Sequence, residues 1–191
     1  MLRRPSLCEK ISLTSGAGVS PPVKMVLLET LKRGLWLVTL AATAWPQPEH
    51  RVRDPPPWAG EILQAHNSIR RRLNLPPLVW SDKVAAVAQQ WAEILLERNQ
   101  FVHRPKSIFG ENLFEIDGTR SSPAQVVSAW ASEARNYDYG SNRCTGVCGH
   151  YTQIVWRGTH ELGCGLAPGP SREVWVCDYA PPGNVIGRRP F

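Results

Sequence analysis

The stretch Cys148-Gly149-His150-Tyr151-Thr152-Gln153-Ile154-Val155-Trp156-Arg157 constrains the fold more than any other part of this chain. Tyr, Thr, Ile, Val and Trp suit a pleated, half-buried surface, so 150–157 reads as a strand. On a period of two, His150, Thr152, Ile154 and Trp156 share one face. A titratable imidazole then sits among apolar neighbours, where a charge is costly unless something pairs with it. Two further runs, 162–167 and 172–179, read as strands separated by the turn Pro168-Gly169-Pro170.

Upstream, the spacing predicts helices. Ile62, His66, Ile69 and Leu73 fall on one helical face, with Asn74 and Pro76-Pro77 as the stop. Ser81 is a suitable N-cap for a second helix to about Asn99, with Val84, Val87, Ala88, Trp91, Ile94 and Leu95 as its apolar face. A third helix starts at Ser122-Pro123, where Gln125 completes a capping box, and its apolar line runs Val126, Trp130, Glu133, Tyr137. His103-Arg104-Pro105 reads as loop, and 109–114 as short extended or turn-like chain. Helices first and strands last imply an α+β fold with a small antiparallel sheet.

The first part of the 191-residue chain has a different character. Lys32-Arg33, the short apolar run from Gly34 and the ending Ala42-Thr43-Ala44 read as a secretory signal peptide, which makes 1–44 a leader with Met25 as a plausible true start. The apolar run is too short for a membrane-spanning helix. Residues 45–57 are a proline-rich linker, and 58–191 form the folded domain. Of 22 basic and 16 acidic residues, the leader holds six and two, so most of the +6 net charge belongs to it. The balance of the remainder gives no reason to expect nucleic-acid binding. The triplet Arg70-Arg71-Arg72 reads as a solvated helix edge. Outside the leader, Cys144, Cys148, Cys164 and Cys177 make two disulfides in an exported domain, with three connectivities open.

Four polar residues stand where apolar ones are expected: His66 between Ile62 and Ile69, Glu111 between Phe109 and Phe114, Glu133 one turn after Trp130, and His150. Buried carboxylates and imidazoles need partners, and two of each can satisfy one another if they converge.

The 148–157 stretch resembles the signature of the CAP superfamily, which includes cysteine-rich secretory proteins, wasp-venom antigens and plant pathogenesis-related proteins. Val176-Cys177-Asp178-Tyr179-Ala180-Pro181-Pro182-Gly183-Asn184-Val185 is similar to the family's second signature, with Asp178 where Asn is usual, a departure that touches none of the four site residues. The resemblance implies a three-layer α-β-α sandwich. It also implies a Cys164–Cys177 bridge, worth about 3 kcal/mol in the chain-entropy model, which leaves Cys144 with Cys148. The resemblance further implies that His66 (in Ala65-His66-Asn67), Glu111 (in Gly110-Glu111-Asn112), Glu133 and His150 form a tetrad at the bottom of a cleft, with His66 and His150 as ligands for zinc or another divalent metal and the carboxylates orienting the rings.

The function expected is a secreted binding module for a metal and for a lipid, sterol or extracellular protein ligand, sterol binding being associated with the loop 137–149. The alternatives are a metal-assisted, protease-like hydrolase with Glu111 or Glu133 as general base, and a tetrad that is purely structural. For a nucleophilic hydrolase, Ser68, Ser132 and Thr152 are the nearest hydroxyls, and nothing singles one out.

Overall fold

Helix α1, Ala59–Arg72, begins just after the triple proline and turns Ala59, Ile62, His66 and Arg70 into the interior. Two residues past its end, Asn74 takes a left-handed conformation (φ 52°) that asparagine tolerates. These features come from a computed structural model that describes residues 54–191; the expected leader, and all of the linker except its last four residues, lie outside that range. Strand β1, Val79–Trp80, leads into α2, Asp82–Glu97, whose buried face is Val84, Ala88, Ala92 and Leu95. Ser81 stands at the N-cap in extended backbone without making a side-chain cap bond.

Strand β2, Gly110–Asp117, replaces the short extended segment expected there. Helix α3, Pro123–Ala131, has the expected capping box between Ser122 and Gln125 and proline in its first turn. It tightens into a 3-10 helix, Ser132–Asn136, which carries Glu133. A two-residue ribbon, β3 Tyr137–Asp138 with β4 Arg143–Cys144, precedes α4, Gly149–Ile154. The chain then forms β5, Glu161–Pro168, and β6, Arg172–Ala180.

The expected strand at 150–157 is therefore a helix followed by a turn. Its β-forming residues are overruled by tertiary contacts at both helix ends, described below.

The sheet order is β1-β5-β6-β2. β5, β6 and β2 are antiparallel as expected, but β1 joins β5 in parallel, so the sheet is mixed. Strand alternation separates two cores. On one face Leu162, Cys164, Trp175, Cys177 and Tyr179 pack with Ile62 of α1, Val126, Val127 and Trp130 of α3, and Ile154 of α4. On the other, Leu113, Ala167, Val174 and Val176 pack with Ala88, Ala92 and Leu95 of α2. The result is an α-β-α sandwich in which the sheet is buried on both sides.

The approach of α2 to β5 explains two glycines. A Cβ at Gly163 would lie 2.1 Å from the backbone nitrogen of Ala85, and one at Gly165 would lie 2.3 Å from Cα of Gln89. Backbone cannot step aside as a flexible side chain does. Gly163→Ala and Gly165→Ala should each destabilise the fold by about 3 kcal/mol or more through overpacking; equilibrium urea unfolding measures this, and a loss below about 1 kcal/mol would show that α2 can move outward freely.

Candidate functional site

The short helix α4 is held at both ends by side chains distant in sequence. At its N-terminus the Glu133 carboxylate accepts from the backbone N–H groups of His150 (2.9 Å) and Tyr151 (3.3 Å). At its C-terminal end Arg70 donates to the carbonyls of Ile154 and Trp156 (both 2.8 Å), then Thr159 (3.2 Å), with its Nε on Pro76 (2.8 Å). An anion at the N-terminus and a cation at the C-terminus both oppose the helix dipole. Arg70 is thus fully buried, contrary to the expected solvated edge. Burial lowers its pKa to about 10, with nearby Arg157 adding to the decrease and Tyr179 opposing it, so it stays charged at neutral pH.

Glu133 also holds the His150 ring, with Nδ1 to Oε1 at 2.6 Å. Trp130 stacks on that ring (centroids 6.1 Å apart, planes at 21°) and is itself fixed by its indole N–H on the Leu113 carbonyl (2.9 Å). On a helix starting at Gly149, His150 lies in the first turn, where Glu133 reaches both its backbone and its ring.

His66 does not join this pair. It is fully buried, and both ring nitrogens are engaged. Nδ1 lies 2.8 Å from the Ile62 carbonyl, which can only accept, so Nδ1 carries the proton and Nε2 accepts from the Tyr179 hydroxyl at 2.8 Å. The indole of Trp130 is 6.1 Å, centroid to centroid, from each of the two imidazoles. Desolvation lowers the His66 pKa to about 4, partly offset by its bond to Ile62. The expected ligand role therefore fails on position: this imidazole is a satisfied core group.

The second His–Glu pair is made by a residue read as loop. His103 Nδ1 is 2.6 Å from Glu111 Oε1, which also accepts the Arg104 backbone N–H at 3.0 Å. The His103 side chain is 65% exposed while that of Glu111 is 4% exposed. No periodicity marks His103; the one sequence signal is an imidazole on a short loop directly before the strand that bears Glu111.

The register also pairs Glu111 with Asp178 across β2 and β6, which corrects the expectation that Asp178 touches no site residue. Arg104 donates to one Asp178 oxygen, while Asp178 Oδ1 and Glu111 Oε2 are buried without a partner. Burial raises the Asp178 pKa to about 6; the Arg104 guanidinium works against the increase and Glu111 adds to it.

One residue of β2 connects the two pairs. Asn112 follows Glu111 and donates through Nδ2 to the His150 carbonyl (3.1 Å) and the Tyr179 hydroxyl (3.0 Å). Burial keeps that hydroxyl protonated by raising its pKa well above the usual value.

Among the described residues, no group of three or more His, Cys, Asp and Glu side chains is gathered closely enough to hold a metal ion. His103 and His150 each have a carboxylate on Nδ1, which leaves Nε2 as the free nitrogen of each ring. The hydroxyls considered for nucleophilic chemistry bond elsewhere: Ser68 to the Gln64 carbonyl, Ser132 to that of Ala129, and Thr152 to Asn184 and the backbone. Cys164–Cys177 and Cys144–Cys148 are both bridged. Beside the second bridge, between the 137–149 loop and the C-terminal tail, lies a cavity of about 290 Å3 bordered by Tyr137, Thr152, Trp156 and Val185. Of the phenylalanines near Glu111 in the sequence, Phe114 packs on the core, Phe109 is half-buried and Phe101 is 42% exposed.

Comparison with known proteins supports this architecture. The profile of the CAP (Cysteine-rich secretory protein) family matches residues 63–179. The basic form of pathogenesis-related protein 1 from Nicotiana tabacum is 42% identical over 135 residues, 69% of this chain and 74% of that protein. Pathogenesis-related protein 1 from Arabidopsis thaliana is 37% identical over 69% of this chain and 81% of its own length. Among solved structures, Schistosoma mansoni venom allergen-like protein 4 aligns with a TM-score of 0.61 at 25% identity over 72% of this chain and 95% of its own. NaASP2 with Zn2+ aligns at 0.57 and 23% identity, over 69% and 83% respectively, a likeness of fold.

Two of the perturbed buried groups, His66 and Asp178, give stability a testable pH dependence. The unfolded His66 imidazole takes a proton at its ordinary 6.5 and the folded one only near 4, so its contribution is lost as pH falls through that window. Asp178 has the opposite sign: its folded carboxyl keeps a proton up to about 6 against 3.8 unfolded, so stability is lost as pH rises between those values. Relative to wild type, Asp178→Asn should gain roughly 3 kcal/mol between about pH 4 and 7, and His66→Gln should lose a similar amount. Urea unfolding across that range measures both, and a difference that does not vary with pH would reject the assignment concerned.

Proposed function

The chain belongs to the CAP, or cysteine-rich secretory protein, family, an extracellular family, and we propose that its folded domain is a secreted binding module whose imidazoles His103 and His150 take up a divalent metal such as zinc. The observation that carries this reading is the matched pair of contacts, His103–Glu111 and His150–Glu133, each 2.6 Å and each through Nδ1. A carboxylate on one ring nitrogen fixes the ring and raises the basicity of the other, the usual outer-shell arrangement of a metal-binding histidine. NaASP2, which shares the fold, was solved with Zn2+. His103 takes the place first expected for His66. Bound there, zinc would offer open coordination positions to an anionic group of a ligand, since the protein supplies few donors.

Binding is favoured over hydrolysis by the placement of the Ser68, Ser132 and Thr152 hydroxyls, which bond to backbone carbonyls or to Asn184 and not to an imidazole, and by Glu111 and Glu133, each of which is already committed to a ring. A lipid, sterol or protein ligand is a second reading. It rests on the 290 Å3 cavity at the 137–149 loop and on the aliphatic side chains nearby, with Val147 66% and Val185 45% exposed.

Calorimetric titration of the full chain with zinc tests the first reading. Wild type should bind zinc, His103→Ala/His150→Ala should lose binding while remaining folded by circular dichroism, and Glu111→Gln should weaken it about 10–100-fold. Wild type that binds no zinc, or a double variant that binds equally well, would overturn the reading.

Secretion is supported by the two disulfides and the apolar run before Ala44. Exported protein should begin at Trp45; N-terminal sequencing that finds Met1 or Met25 retained would reject cleavage at that point.

A further inference from the structure

Two sets of arginines in this domain contrast. Arg104, Arg120 and Arg172 each face a carboxylate, that of Asp178, Glu173 and Glu115 respectively. Arg157, Arg188 and Arg189 form no ion pair among the described residues. Instead all three border one cavity of about 300 Å3, completed by Trp156, Pro190 and Phe191, with no Asp or Glu side chain in its lining.

The cavity has a built frame. It forms where the C-terminal tail folds back on the end of α4, joined by the Arg157 N–H on the Pro190 carbonyl at 2.6 Å. Arg189 is held in place: it donates to the carbonyls of Tyr139 (3.1 Å) and Gly140 (2.8 Å), and its guanidinium lies 5.5 Å from the Tyr139 ring centroid. Phe191 stacks on the ring of the same Tyr139, 4.8 Å between centroids. Arg157 and Arg188 are exposed and carry the free donors. Three like charges around one space repel one another, and the field of Arg157 already reaches buried Arg70 and lowers its pKa. An anion entering the space would relieve that repulsion.

We propose that the Arg157–Arg188–Arg189 cavity is a binding site for a phosphate group, either free or as a monoester. Guanidinium forks match phosphate oxygens in a bidentate manner that a compact ammonium cannot. The neighbouring surface favours one source of the phosphate. Ile186, two residues before Arg188, is fully exposed, as is useful for contact with the apolar part of a lipid whose headgroup occupies the arginines. The site is separate from the His–Glu pairs and does not depend on the metal reading.

Thermal unfolding of the full chain in inorganic phosphate, against chloride at equal ionic strength, tests the proposal. Phosphate should raise the melting temperature by linkage and chloride should not. Arg157→Gln/Arg188→Gln should weaken phosphate binding at least tenfold, while Arg71→Gln/Arg72→Gln, which removes the same charge from an exposed part of α1, should leave it unchanged. Equal effects of phosphate and chloride, or equal losses in the two double variants, would overturn the site. Sedimentation with phosphatidylcholine vesicles, with and without phosphatidic acid, separates the sources. Binding that needs phosphatidic acid, the two arginines and Ile186 identifies a lipid headgroup; phosphate binding without vesicle binding identifies a soluble phosphate or ester.

Discussion

The structure around the site depends on a short helix capped by two charges. Six residues, Gly149–Ile154, are far too few to hold a helix in water, because nucleation costs more than one turn of hydrogen bonds returns. The Glu133 carboxylate collects the free N–H groups at one end and the Arg70 guanidinium collects carbonyls at and beyond the other. The two charges come from elements on either side of α4 and cannot be exchanged without reversing the sign of both dipole interactions. Once α4 is fixed, so are His150, the stack with Trp130 and the bond from Asn112 that joins α4 to the sheet.

The end of β6 serves both faces of the sandwich. Alternation sends Asp178 toward Glu111 and Arg104, and Tyr179 toward His66 and Asn112. One strand therefore braces the loop that carries His103 and the network beneath His150. This is why a buried histidine with no access to solvent still matters to the site: the His66–Tyr179–Asn112 chain of hydrogen bonds fixes the strand residue that touches the His150 carbonyl.

Much of this fold was legible where local and tertiary preferences agree. The periodicity of α1 and α2, the Ser122–Gln125 capping box and the alternation of β5 and β6 all act over a few residues, and the structure has them. The misreadings share the opposite cause. The 150–157 segment has the composition of a strand, and only Arg70 and Glu133, distant in sequence, make it helical. In the sequence Arg70 is one of three consecutive arginines, and nothing in its neighbourhood announces the carbonyls it satisfies. His66 is conspicuous in the sequence because it is an imidazole on an apolar helical face, whereas His103 stands in an irregular loop where no pattern marks it. The exposed residue is the one whose ring nitrogen remains available. Register, not sequence distance, makes Asp178 the neighbour of Glu111, and nothing local in the sequence marks that pairing.

Glu133 performs two tasks with one carboxylate: Oε1 holds the His150 ring and Oε2 accepts the backbone N–H groups at the start of α4. A chain of this fold that had no ligand and no chemistry would still need a carboxylate there to keep α4 folded. Finding glutamate at this place in a sequence is therefore weak testimony of activity. The more telling residue is His103, whose exposed ring caps no helix and fills no core, so that an organism with no use for the site could lose it at little structural cost.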